Sequence, residues 1–339
     1  MVGKRGSFRA GDVVEVRSAG EILATLGPDG SLDAVPFMPE MLEHVGRRFT
    51  VTKRAEKICD TACGTFSSRR MHDTVFLDDL RCDGSGHDGC GAGCLLYWKE
   101  EWLRPVDDDA PAADHDPDGQ EALAAMAATT TRTTQELDGE EVEVYRCQAT
   151  EAPAATEPLR GFDPRQYVRE VTCRNVGPFR AAFVLSRAIL GHFRQGRKPG
   201  LPLGPSPDPE SRSRPEPLGL QAGELVRIKS REEIRATLDE RGKNRGLWFD
   251  VEMAPYCGGT FPVRSRVERF IDDRTGKMVE LKSDAFILDG VMCSGERSTW
   301  RFFCHRAIYS WWREAWLERV ESEGTVASPP RDAGASPLG

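Results

Sequence analysis

Cysteine is the residue type that stands out for its chemistry. The chain holds ten cysteines, and eight of them fall within 59–94 and 257–304. Thiols clustered in this way form disulfides or hold metal ions. The chain is expected to be cytoplasmic, a compartment that keeps thiols reduced, so metal ligation is the expectation. The later cluster supplies Cys257, Cys293, Cys304 and His305, whose thiolates and imidazole make the donor set of a tetrahedral zinc site. His305 is the least regular member, because adjacent Cys-His ligands are rarer than spaced pairs. The earlier cluster offers Cys59, Cys82, Cys90 and Cys94 as the preferred shell, with Cys63 and His87 as spare ligands. Two zinc sites follow. An iron–sulfur cluster suits four thiolates, but the Cys/His mixture of the later cluster favours zinc. A closed shell is structural, so only the first cluster has ligands left over for chemistry.

Other chemistries find little support. There is no P-loop and no Gly-x-Gly-x-x-Gly following a strand, and Gly84, Gly86, Gly89, Gly91 and Gly93 read as turns around a metal. No carboxylate pair is singled out as an acid–base couple. Cys147 and Cys173 read as packed or free thiols; Cys147 has no histidine near it in sequence to activate it.

The elements that position the clusters come in duplicate. Shifted by 212 residues, Ala10-Gly-Asp-Val-Val falls on Ala222-Gly-Glu-Leu-Val, and Glu40-Met41 on Glu252-Met253. Ser18, Ala24-Thr-Leu, Phe37, Gly46, Phe49 and Val51 find partners at the same shift. Trp98-Lys-Glu-Glu-Trp-Leu corresponds to Trp312-Arg-Glu-Ala-Trp-Leu, and Cys82 and Cys90 align with Cys293 and Cys304, whereas Val45 stands at the position of Cys257. Each copy reads as short alternating strands with tight turns. Ser18 and Ser230 are placed to cap short helices, and Met38–Val45 reads as another. The fold class expected is mainly β with short helices (α+β): two duplicated modules, 8–106 and 220–320, resembling SH3-like small barrels, each with a Cys-rich metal site.

Between them, 107–138 reads as a flexible linker rich in Asp, Ala, Pro and Thr, and 196–218 as a stiffer Pro-rich one. The central segment 139–195 carries a strand at 141–146, a helix opening at Asp163-Pro164 and a longer helix at 178–194. Phe179, Phe183, Leu190 and Phe193 line one face of that helix, and Arg180, Arg187 and Arg194 another. Such a helix either lies on an anionic membrane surface or packs inward and shows its arginines to water; the second reading is preferred. The tail, 322–339, reads as disordered. A net charge of -8 argues against general nucleic-acid binding, although the three arginines keep a local salt-dependent patch open. No apolar run is long enough for a membrane span, and no signal peptide is evident.

The stretches Pro36-Phe-Met-Pro-Glu-Met, Arg81-Cys-Asp-Gly-Ser-Gly-His-Asp-Gly-Cys-Gly-Ala-Gly-Cys-Leu-Leu-Tyr-Trp-Lys and Arg146-Cys-Gln-Ala-Thr-Glu resemble a family of uncharacterised bacterial proteins. The resemblance spans most of the chain outside its linkers. It implies a setting beside natural-product or surface-polysaccharide biosynthesis, and carries no catalytic residue across. Members of that family usually have a cysteine where this chain has Val45. The function expected is a zinc-binding accessory or adaptor protein of a bacterial biosynthetic pathway, with a protein partner or a pathway intermediate as ligand. The alternative is a metalloenzyme of the same setting, with its active site at the first cluster.

Overall fold

The computed structural model describes residues 8–62, 67–106, 116–137, 139–160, 163–194, 218–298 and 301–320. The chain is mixed α+β, mostly strands with few helices. It divides into two compact units. The first comprises the described residues within Met1–Ile189, Arg269–Val279 and Trp300–Arg306, and the second those within Leu190–Glu268, Glu280–Thr299 and Ala307–Gly339. Segments 269–279 and 301–306, which lie inside the second sequence copy, therefore pack within the first unit. There Gly276 accepts the backbone N–H of Tyr145 over 2.8 Å, and Gly91 donates to the carbonyl of Arg269 over 2.9 Å.

Unit 1 is organised by a five-stranded sheet in the order Trp98–Lys99, Thr74–Leu77, Arg48–Arg54, Val13–Val16, Leu103–Pro105. Val14 stands opposite Phe49 on one side and Pro105 on the other. A second five-stranded sheet has the order Tyr309–Arg313, Met278–Met292, Thr260–Ile271, Leu225–Ile228, Leu317–Arg319, and Val226 stands opposite Phe261 and Arg319. The sheets are open, and no barrel closes among the described residues. The outermost strands of the first sheet are only two and three residues long and are joined by the tight turn Glu100–Trp102. They are too short to pair with one another and complete a barrel.

Local contacts recur between the two sheets. Ser18 and Ser230 each cap a short helix, Ala19–Leu23 and Arg231–Ala236, in a reciprocal arrangement with Glu21 and Glu233. The indole N–H of Trp102 donates to Thr25 Oγ1 over 3.0 Å, and that of Trp316 to Thr237 Oγ1 over 2.8 Å. Phe37 meets Trp102 edge-on at 5.4 Å, and Phe249 meets Trp316 at 5.6 Å. Fully burying side chains of this size stabilises each unit by roughly 2–3 kcal/mol apiece.

Two elements depart from the sequence reading. Pro117–Thr129, in the stretch read as a flexible linker, is an α-helix, and Arg132–Leu137 pairs as a strand with Glu140–Tyr145. Asp116 caps the helix through Gly119 N at 2.9 Å, Pro117 sits at its first position, and Leu123 and Ala127 enter the unit 1 core. Two apolar contacts suffice here because Asp116 also receives the backbone N–H of Gly20 over 3.0 Å. The helix Pro178–Arg194 is present; among its described side chains Ala181 and Val184 are buried, while Phe179 and Phe183 are exposed, and Leu190, Phe193 and Arg194 lie outside the described side chains. Ala181 and Val184 are smaller and fit against Val176 and Phe303. Arg180 and Arg187 face solvent. Among the described residues, no helix is long and apolar enough to cross a membrane. The reading of 196–218 as a linker falls outside the described residues except at Leu218, and that of the tail falls wholly outside them.

Candidate metal centre

The segment from Cys82 to Cys90 is a chain of tight turns. Gly84 adopts φ +79°, Ser85–His87 forms one turn of 3-10 helix, and Asp88 and Gly89 follow at φ 49° and 78°. A side chain at Gly84 would place its first carbon 2.2 Å from the carbonyl oxygen of Cys90, so both the conformation and the space require glycine. The turn is anchored where Cys82 N donates to the carbonyl of Cys94 over 2.9 Å, and it swings His87 into the protein, where it is 1% exposed. Facing it is Glu40, presented by the 3-10 turn Pro39–His44.

Glu40, Cys82 and His87 are the described His, Cys and carboxylate groups whose ligand atoms gather in a set of three, all within 4.8 Å of one another. Glu40 Oε1 lies 3.2 Å from Cys82 Sγ and 3.2 Å from His87 Nδ1. On the far side of the ring, Nε2 lies 3.1 Å from the backbone carbonyl of Arg146. That carbonyl is held in place because the Arg146 guanidinium grips Asp29 and Ser31.

Both ring nitrogens of His87 thus face oxygens that only accept. A neutral imidazole has one N–H. A ring with one N–H satisfies one of these acceptors and a doubly protonated ring satisfies both; a metal ion bound at Nδ1 in place of a proton would serve the carboxylate equally well. The Nε2–H···O=C bond is the usual support of a metal-bound histidine. Glu40 Oε2 is buried without a hydrogen-bond partner, a second sign of an absent ligand. Around tetrahedral zinc, neighbouring ligand atoms are separated by roughly 3.3–3.7 Å, close to the spacing seen here. The N, S and O donors together suit a borderline-soft divalent ion.

The electrostatics of the metal-free site agree. Burial would raise the Glu40 carboxyl, but hydrogen bonds from His87 and Cys82 outweigh it and hold the group below its ordinary range. Burial first, and then the Glu40 carboxylate, push the Cys82 thiol well above its usual value. A bound cation reverses this second effect, since it stabilises the thiolate.

The other candidate ligands are placed as follows. Cys59 meets Cys304, with Cys59 N donating to Cys304 Sγ over 3.0 Å. The neighbouring Cys304 thiol, against the opposing effect of burial and with help from Arg306, pulls Cys59 down to about 6. Cys90 Sγ accepts the backbone N–H of Ile271 over 3.4 Å. Cys94 is raised by burial. His305 turns to Glu170. Cys257 and Cys293 belong to unit 2, while Cys304 and His305 belong to unit 1. Burial raises Cys257 to about 11. Cys63 lies outside the described residues. Cys147 and Cys173 are raised to about 12 and 11, mainly by burial, which makes both poor nucleophiles.

Glu40 was absent from the ligands expected from sequence, and His87 was held only as a spare. The available signal was the recurrence of Glu40 as Glu252, an acidic residue kept in an apolar context. No known family, curated protein or solved structure matches this chain.

Proposed function

We propose that the chain is a zinc-binding accessory protein built from two SH3-like copies of one module, in which Glu40, Cys82 and His87 of the first copy hold the ion. The observation that carries this reading is His87, whose two ring nitrogens both face acceptors while Glu40 Oε2 lacks a partner. The metal would cross-link the turn Pro39–His44 to the Cys82–Cys90 loop, stiffening a surface made largely of turns. The recurrence of strand order, caps and tryptophan contacts supports common descent of the two modules. The resemblance of the Cys-rich loop supports a setting beside a bacterial biosynthetic pathway, with a protein partner or a pathway intermediate as ligand.

Elemental analysis of the full chain is the test. About one zinc per chain is expected to depend on this site, and to fall away in His87→Ala and Cys82→Ala. Metal content unchanged in both variants would overturn the assignment.

One observation favours a metalloenzyme instead. Three protein ligands leave a coordination position open, as catalytic zinc sites do. Cobalt-substituted protein separates the two readings: a visible spectrum altered by added cyanide means an accessible open position, and an inert one means a closed structural shell.

A further inference from the structure

Unit 1 buries a second set of reactive groups. Cys59 ends the strand Ile58–Cys59, and Cys304 arrives from the segment 301–306, 245 positions later. Each is 5% exposed. The backbone N–H of Cys59 donates to Cys304 Sγ over 3.0 Å, which sets the Cys304 sulfur against Cys59. Two sulfurs so placed need little movement to bond.

Their surroundings are cationic. Arg306 Nη1 donates to the carbonyl of Cys59 over 3.3 Å and also reaches Thr61. Lys57 is 0% exposed, its Nζ has no hydrogen-bond partner, and it lies 4.6 Å from the centre of the Tyr167 ring. The backbone of Lys57 accepts the N–H of His305, the neighbour of Cys304, over 3.1 Å. Glu170, also 0% exposed, binds His305 and Asn175 through Oε2 and leaves Oε1 without a partner. An ammonium without a hydrogen-bond partner is costly to bury, and here the Glu170 carboxylate and the Cys304 sulfur offset part of that cost. Beside a thiol pair the ammonium favours the thiolate, the form that reacts. These cations already supply the positive charge that a metal ion would bring to two thiolates, which favours redox chemistry over a second metal site.

We propose that Cys59 and Cys304 are a redox pair that hydrogen peroxide converts to an intrachain disulfide. The Cys59 thiolate attacks one peroxide oxygen, the O–O bond breaks, and the departing hydroxide takes a proton to become water. Cys59 is then a sulfenic acid. Cys304 sulfur attacks that sulfur, the S–O bond breaks, and the leaving hydroxide takes the Cys304 proton as a second water. Two thiols have lost two electrons and two protons, and one peroxide has become two waters. A small oxidant suits the site because both sulfurs are buried.

The test treats the reduced full chain with stoichiometric hydrogen peroxide, alkylates the remaining thiols and maps the peptides by mass spectrometry. A Cys59–Cys304 linked peptide is expected as the main product, reversible by dithiothreitol. In Cys304→Ser, Cys59 is expected to accumulate as a sulfenic acid that dimedone traps. Lys57→Met is expected to slow oxidation by about tenfold, with circular dichroism checking that each variant is folded. The proposal is overturned if both thiols remain alkylatable, or if Cys59 links mainly to another cysteine. Reaction only after a chelator has removed a metal from the pair, or an unchanged rate in folded Lys57→Met, also overturns it.

Discussion

Glu40 and Glu252 hold the same place in the two sequence copies, and the turns that follow Cys82 and Cys293 face them in the same way. Cys82 N donates to Cys94 O over 2.9 Å, and Cys293 N to Ile308 O over 2.8 Å. The outcome at each carboxylate differs. Glu252 receives Ser294 Oγ at 2.7 Å, Arg297 N at 2.7 Å, Ser298 N at 2.8 Å and Ser298 Oγ at 3.0 Å. Its charge is met by donors within its own unit. Glu40 faces an imidazole and a thiol, and keeps one oxygen without a partner. Counting forward from the aligned Cys82 and Cys293, Ser298 stands where the first copy has His87. Ser298 supplies two of the four hydrogen bonds that satisfy Glu252, and His87 at the matching place leaves Glu40 Oε2 without a partner. A repeated scaffold can keep an acidic residue for two different reasons, and only the donors around it tell them apart.

The largest effect that sharpens this contrast is on stability. Glu252→Ala strands four donors, two of them backbone N–H groups, and is expected to destabilise unit 2 by about 3–5 kcal/mol. Glu40→Ala in metal-free protein is expected to cost about 1 kcal/mol or less. Urea unfolding of the two variants after chelation measures the difference, and equal losses would break the comparison.

Next comes His87→Ser, which rebuilds the second copy's pattern in the first. Zinc affinity is expected to fall by about a hundredfold, near 2.7 kcal/mol, read by competition with a chromophoric chelator.

Proton competition follows. Cys82 must ionise to bind, and its folded, metal-free pKa is raised, so below that value each bound ion displaces a proton. Affinity is expected to rise by about tenfold per pH unit from pH 6 to 8. The sign is that of a thiol bound as thiolate, and affinity that falls as pH rises would exclude Cys82 as a ligand.

The smallest effect is expected from Arg146→Met. It releases the grip on Asp29 and Ser31 that fixes the carbonyl behind His87, and should weaken zinc by about threefold to tenfold. Isothermal titration of folded variant and parent gives the ratio.

Much of the scaffold is legible in sequence because its signals are local. The capping pairs Ser18/Glu21 and Ser230/Glu233 need three intervening bonds of chain, and alternation in Val13–Val16 and Leu225–Ile228 needs only neighbours. The helix Pro117–Thr129 was hidden because its stretch is dominated by small and polar residues, although Asp116-Pro117 carried a start signal. Cysteine clustering drew attention to the loop that carries Cys82 and His87. It could not say that Cys304 and His305 pack within unit 1, whereas Cys257 and Cys293 belong to unit 2.

By itself, the sequence carried matching strand and cap signals in its two halves and thiols concentrated in two places. These follow from short-range periodicity and from residue identity at fixed spacing. Tertiary structure decided which acceptor faces His87, that Glu252 is already satisfied, and that Cys59 meets a cysteine 245 positions away. Those are contacts between groups far apart in the chain, and a side chain's chemistry is set by whatever atoms fill the few ångströms around it.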